Sequence, residues 1–364
     1  MLVSRRTLLA TGTAAAAGIA LPRAGTATEF APRPGPWRQF ELATRVALAE
    51  AGPAQVWVPV PGVTEPGWAE VGEVRWTGNC TDAVLVRDEV SGLRLVHAVW
   101  DEGTEAPSLD VIARAGARDR AADLSAPVSP PPLTSAERTY WTAPTMLIPT
   151  DGIVRETAER ITAGATDDLA MARMIYDWIV AETERNPETR GCGLGDIATM
   201  LEVGDLTGKC ADLNALFVGL ARAAGLPARD VYGLRVAPSA FGYKSLGAKS
   251  ADVTKAQHCR AEVHLADHGW IAADPADVRK VMLEEPPGNL DAADPMVVAA
   301  RRTLFGAWEG NWIALNFAHD VELPGADGEP VPFLMYPEAE IAGRRLDPLD
   351  PEGFAYDITV REIG

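Results

Sequence analysis

Cysteine is scarce in this 364-residue chain, and aromatics make up only 7% of it. The four thiols, Cys80, Cys192, Cys210 and Cys259, are too few to staple a fold of this length, so apolar packing must hold it. Positive charge is also short. Lys and Arg number 33 against 51 Asp and Glu, a formal charge of −18. Such a surface repels nucleic acid and anionic membrane and favours solubility, which argues against a polyanion as main partner. After the first 27 residues no apolar run approaches the ~20 residues of a membrane span, and no internal repeat is visible. What the chain has in quantity is turn formers, 33 Gly and 28 Pro, alongside 47% hydrophobic residues. That is a globular composition with many turns, not a disordered one.

Residues 1–27 read as an export signal rather than as part of the fold. Ser4-Arg5-Arg6-Thr7-Leu8-Leu9 precedes a mild alanine-rich run, and small residues ending at Ala27 follow. The paired arginines resemble the twin-arginine signal, which implies a folded protein delivered to the periplasm or beyond. No integral membrane segment is expected once the signal is removed. Residues 28–36 are proline-rich and read as a linker.

From Phe40 the pattern has period two: Phe40, Leu42, Thr44, Val46, Leu48. Short strands continue through Val56–Val60, Val84–Val86 and Leu93–Val96 with Gly, Pro and Asn breaks, so residues 37–130 are predicted to form a small β-sandwich domain. Ser129-Pro130-Pro131-Pro132 punctuates the chain, and the period then becomes helical. Ile153, Val154, Thr157, Ala158 and Ile161 share one helical face. Thr166-Asp167-Asp168 caps a second helix with a stripe of Leu169, Ala172, Ile175, Tyr176 and Ile179. A third helix opens at about Cys210, carries Leu213, Leu216, Phe217, Leu220 and Ala224, and is stopped by Gly225 and Pro227. A strand over 230–236, a Gly/Ser/Lys-rich loop at 238–250 and two strands over 258–274 joined near Asp267-His268-Gly269 complete a unit assigned to residues 135–290. Residues 291–364 read as a β-rich extension.

Three segments carry chemistry: Gly208-Lys209-Cys210-Ala211-Asp212, His258-Cys259-Arg260-Ala261-Glu262 and Gly269-Trp270-Ile271-Ala272-Ala273-Asp274-Pro275. A cysteine opening a helix meets free N–H groups and a dipole that stabilise its thiolate, and the same N–H groups can hold an oxyanion. Gly208 leaves room for a close backbone approach. His258 shares a strand side with Arg260, Glu262 and His264, opposite Cys259, Ala261, Val263 and Leu265. It is therefore expected to point into a cleft or solvent. Asp274 ends an apolar strand, and a hairpin would set it beside His258, where it can hold one ring nitrogen while the other faces sulfur. The competing assignments are a structural thiol, an unremarkable histidine and a turn-forming Asp-Pro. A metal site built on His258, His264 and His268 is disfavoured, because their spacing fits neither the strand nor the helix ligand pattern.

Taken together, these motifs and the helix ending Ala-Arg-Ala-Ala-Gly-Leu-Pro-Ala-Arg resemble the core of the bacterial transglutaminase-like superfamily over roughly residues 140–282. The resemblance implies an α+β chain with a papain-like core, preceded by the small β-sandwich and followed by the β-rich tail. It also implies a triad in which Cys210 is nucleophile, His258 base and acid, and Asp274 the orienter. The family often carries an aromatic two residues after the histidine, where this chain has Arg260. The implied activity is acyl transfer from a peptide or side-chain amide of a peptide or protein substrate, through a thioester. Hydrolysis is favoured over cross-linking, and no cofactor or metal is needed. A non-enzymatic binding protein on the same fold is the alternative. If the core folds as the resemblance implies, Cys192 and Cys259 border one region and could pair; two separate thiols are the other outcome.

Overall fold

The alternation at residues 40–48 is realised as the strand Arg38–Ala47, in which Phe40, Leu42, Thr44 and Val46 are buried and their neighbours less so. It belongs to a computed structural model that describes residues 29–49 and 52–364, so the expected export signal at 1–27 lies outside the described residues. Two antiparallel sheets form a sandwich. One has the order Ala355–Glu362, Arg38–Ala47, Ser108–Ala117, Ala69–Gly78; the other runs Arg344–Arg345, Glu338–Ile341, Ala54–Pro59, Leu93–Trp100, Asp82–Asp88. Val46, Val111 and Ala113 of the first meet Val56, Val96, Ala98 and Ile341 of the second in one apolar layer. The stretch expected as a separate extension after residue 291 therefore supplies strands to both sheets. Their alternating apolar residues, such as Ile358 and Val360, find a half-built core to cover.

The second unit carries seven helices among the described residues: α1 Ser135–Thr142, α2 Gly152–Thr162, α3 Asp168–Glu182, α4 Ile197–Val203, α5 Cys210–Ala223, α6 Pro275–Glu284 and α7 Pro295–Thr303. Their partner is a four-stranded antiparallel sheet in the order Gly269–Ala273, Arg260–Leu265, Ala228–Arg235, Trp312–Asn316. Helix α5 lies between α2 and α3 on one side and this sheet on the other. Every residue from Cys210 to Arg222 is buried, the mark of a helix enclosed on all sides. The other face of the sheet is covered by Trp68, Trp141, Trp308 and Trp312, with Trp68 reaching in from the sandwich.

That covering layer changes one expectation. The side of the Arg260–Leu265 strand that carries Arg260, Glu262 and His264 was predicted to face a cleft or solvent, yet all six of its residues are buried. The charges survive burial because each is matched. The Arg260 guanidinium lies over the Trp308 and Trp312 rings. Glu262, at 0% exposure, is held by Arg120 and, at 2.5 Å, by Arg229 Nε. Arg229 also stacks on Trp270 and Phe317.

Candidate active site

Cys210 is the first residue of α5, with Lys209 as the N-cap. The loop before it is tied down by Asp212, which accepts the N–H groups of Leu194 (3.0 Å), Gly195 (2.9 Å) and Lys209 (2.9 Å). This explains the Asp and the Gly of the motif, and a glycine upstream of it. A Cβ on Gly193 or Gly208 would fall 1.8 or 2.5 Å from Asp212 Oδ2. The space that sequence reading left at Gly208 for a substrate backbone is filled by the protein's own carboxylate.

His258 precedes its strand by two residues and is fixed through its backbone: its N–H donates to Gly233 O (2.9 Å) and its carbonyl accepts Trp312 Nε1–H (2.8 Å). Gly233 must be glycine here, because a Cβ would sit 2.2 Å from the Trp312 ring. Asp274 is the N-cap of α6, with Pro275 at the first helical position, a helix that the Asp-Pro pair did not disclose. Its Oδ1 accepts from Asp277 N–H (3.0 Å) and Asn214 Nδ2 (3.2 Å), and its Oδ2 lies 2.8 Å from His258 Nε2. The structure thus brings His258 and Asp274 into contact through Nε2, leaving Nδ1 clear of that carboxylate, and His258 is close enough to Cys210 to help lower its thiol. Cys210, His258 and Asp274 are 5%, 3% and 0% exposed. None stands free of the core, but Cys210 and His258 border a cleft of about 780 Å³.

Electrostatics favour a thiolate–imidazolium pair. The neighbouring Cys192 and Cys259 thiols, joined by His258 and opposed by burial, hold Cys210 well below the ordinary thiol range. Cys192 and Cys259 are pushed up, so the negative charge rests on Cys210. All four cysteines are free thiols, so Cys192 and Cys259 do not form the disulfide considered above, and the Cys192 thiol donates to Gln257 O at 3.4 Å. Burial and Arg235 pull the His258 imidazole down, but Asp277 and Asp274 outweigh them and raise it to about 9. The raised His258 stabilises the fold most below its ordinary value of 6.5, and that stability is lost as pH climbs through about 9. The depressed Cys210 has the opposite sign: it stabilises above the free thiol value of about 8.5 and loses that as pH falls through its folded value.

A model of the transglutaminase-like superfamily matches residues 155–275. A relative from Haemophilus influenzae, itself uncharacterized, is 34% identical over 332 residues, covering 87% of this chain and 89% of its own length. The chain belongs to the transglutaminase-like superfamily. Among solved structures, a candidate cysteine protease from Cytophaga hutchinsonii superposes with a TM-score of 0.50 at 15% identity, covering 90% of this chain and 99% of that one. That likeness carries the α+β, papain-like transglutaminase fold across both units. The periplasmic domain of TgpA from Pseudomonas aeruginosa aligns over 65% of this chain and 73% of its own, with a TM-score of 0.35 and 15% identity.

Within this transglutaminase-like site, sequence reading missed Asp277, Asn214 and Arg235. Asp277 Oδ2 lies 3.4 Å from His258 Nε2, giving the imidazole a second carboxylate, and Asp277 Oδ1 accepts from Arg235 at 2.6 Å. Burial raises Asp277, but Arg235 and His258 overcome this and hold it well below the carboxylate range. Asp274 is raised, chiefly by burial and by Asp277. The signal was present: Asp274-Pro275-Ala276-Asp277 is a helix start with an acid at the third position, and Asn214 is one helical turn from Cys210. His258, Asp274 and Asp277 bring ligand-type atoms within 4.8 Å of one another. Their lone pairs are already engaged by Asn214, Arg235 and backbone N–H, and the nearby Arg235 and Arg260 guanidinium groups supply the positive charge that a cation would. His264 instead packs edge-on against Trp270.

Proposed function

We propose that this protein is a cysteine acyl-transfer enzyme acting on peptide or side-chain amides, with Cys210 as nucleophile, His258 as acid and base, and Asp274 as orienter. The observation that carries it is the 2.8 Å contact of Asp274 with His258 Nε2, beside a Cys210 thiol held below its ordinary range. The thiolate attacks the carbonyl carbon, and the imidazolium proton passes to the leaving amine, leaving a thioester and neutral His258. Water activated by His258 then attacks the thioester; the acid leaves and the thiol is restored. The Cys210 N–H, first in α5, is the donor assigned to the oxyanion, because Ala211 N–H is spent on Cys192 O (2.9 Å). Water is favoured over an amine as acceptor, since an amine needs a binding site of its own.

Intact mass after acid quench tests this. An N-acetylated peptide p-nitrophenyl ester should leave one acyl group, mapped to Cys210, and a primary amine added later should not outcompete water. Because the thiolate is stabilised, acylation at pH 6 should stay near its pH 8 rate, where an ordinary thiol would lose tens of fold. The rate should fall as His258 loses its proton above about 9. Absence of any Cys210 adduct across acyl donors would leave the fold as a binding module.

We also assign the enzyme to the periplasm or the extracellular space, on the Arg5-Arg6 signal pattern. Among the described residues no helix is long and apolar enough to cross a membrane. Arg5→Lys/Arg6→Lys should retain the protein in the cytoplasm; unchanged export would defeat the twin-arginine assignment.

A further inference from the structure

The cleft beside Cys210 reverses the charge of the molecule around it. The chain as a whole carries −18, yet seven lysines and arginines line this one cavity against two carboxylates, Asp252 and Asp357. Lysine sharpens the contrast. The 364 residues contain five lysines, Lys209, Lys244, Lys249, Lys255 and Lys280, and all but Lys244 line the cleft. Elsewhere, Lys244 apart, the chain uses arginine for its permanent side-chain cations.

The three arginines of the lining are matched: Arg185 to Glu284, Arg190 to Asp347 and Arg235 to Asp277. The lysines are not. Lys280 comes only within 3.9 Å of Glu284, an acid that Arg185 already holds, and burial pulls its amine down to about 8. Among the described residues Lys209, Lys249 and Lys255 make no ion pair within 4.0 Å, though Lys255 stands near enough to Asp252 to help lower its carboxyl. Unpaired ammonium groups on flexible stems, gathered in a recess with low-dielectric walls, focus a positive potential and concentrate anions there. The same lining includes the apolar Leu349 and Tyr356, against which a peptide can pack. At about 780 Å³ the cleft is in the size range of small-ligand sites, about 300–1,000 Å³.

We propose that the cleft takes an anionic acyl donor: a peptide bearing carboxylates beside the amide presented to Cys210, recognised by Lys209, Lys249, Lys255 and Lys280. This rests on the reading of Cys210 as nucleophile. A nucleic acid would match the charge but offers no acyl carbon to a thiolate, and its length beyond the cleft would meet the acidic surface.

Binding of fluorescein-labelled hexaglutamate and hexaglutamine to the Cys210→Ala protein at low ionic strength tests it without turnover. A protein of this net charge with no basic recess would prefer the neutral peptide. Hexaglutamate is instead expected to bind roughly tenfold or more tightly, to weaken with salt, and to lose that advantage in Lys209→Gln/Lys249→Gln/Lys255→Gln. Equal or weaker binding of hexaglutamate, or an unchanged preference in the triple variant, would overturn the proposal. Equally tight binding of an oligothymidylate of the same charge would overturn the peptide assignment. In wild type the ratio of iodoacetate to iodoacetamide alkylation at Cys210 should exceed that of a free thiol and fall in the triple variant; a ratio equal to the free thiol's counts against the proposal. Hexaglutamate binding with an inert Cys210 would instead refute the catalytic reading and leave the anion site standing.

Discussion

Acyl transfer is expected to vanish in Cys210→Ala and to fall in two separable steps when the carboxylates beside His258 are removed. In a triad with one carboxylate, changing it to an amide costs a factor of about 10⁴, because the histidine is held in the wrong tautomer. Here Asp277 Oδ2 stands 3.4 Å from the same Nε2 that Asp274 contacts at 2.8 Å. Asp277 also keeps its charge firmly, through Arg235. Asp274→Asn should therefore keep at least tenfold more activity than Asp274→Asn/Asp277→Asn, and only the double variant should show the full loss. Asparagine is itself a good N-cap, so α6 should persist in either protein. Single-turnover acylation rates, with helical content checked by circular dichroism, give the comparison. Equal rates in the single and double variants would mean that Asp277 does not support the imidazole, and full activity in Cys210→Ala would mean that another group is the nucleophile.

Glu262→Ala should destabilise the fold by about 3–5 kcal/mol, the usual cost of stripping a buried charge of its partner. Glu262 is completely buried, and Arg229 depends on it from within a stack of Trp270 and Phe317, with Glu65 at 2.7 Å as its other carboxylate. Arg120, which also pairs with Glu262, comes from the segment that links the sandwich to the helical unit. Urea unfolding of both proteins measures the difference. A shift below about 1 kcal/mol would show that the guanidinium groups find water or other acceptors once the carboxylate is gone.

The helices α2, α3 and α5 were legible because each has an apolar stripe at helical spacing, and α3 and α5 have in addition a recognisable cap or stop: Asp167 accepting from Ala170 N–H, Gly225 after Ala224. The strands that carry the site were legible for a similar reason, as was the approach of His258 to Asp274 across their hairpin. Burial of the polar side of Arg260–Leu265 was not, because it depends on Trp68, which is nearly two hundred residues distant, in the turn before a strand of the sandwich. Local alternation marks which residues share a side; it says nothing of what another unit lays over that side. Asp277 escaped for a different reason. Its charge looked like ordinary helix-start acidity, and only the folded hairpin turns that position toward the imidazole.

The strands Glu338–Ile341 and Ala355–Glu362 border Ala54–Pro59 and Arg38–Ala47, so timing enters the assembly. During synthesis the first-made strands present bare hydrogen-bonding edges until some three hundred further residues have left the ribosome. The same late stretch supplies Pro348, Leu349, Phe354 and Tyr356 to the wall of the cleft. Until that stretch has been made, the groove beside Cys210 and His258 lacks these four lining residues, so its completion is tied to the same late event that closes the sandwich.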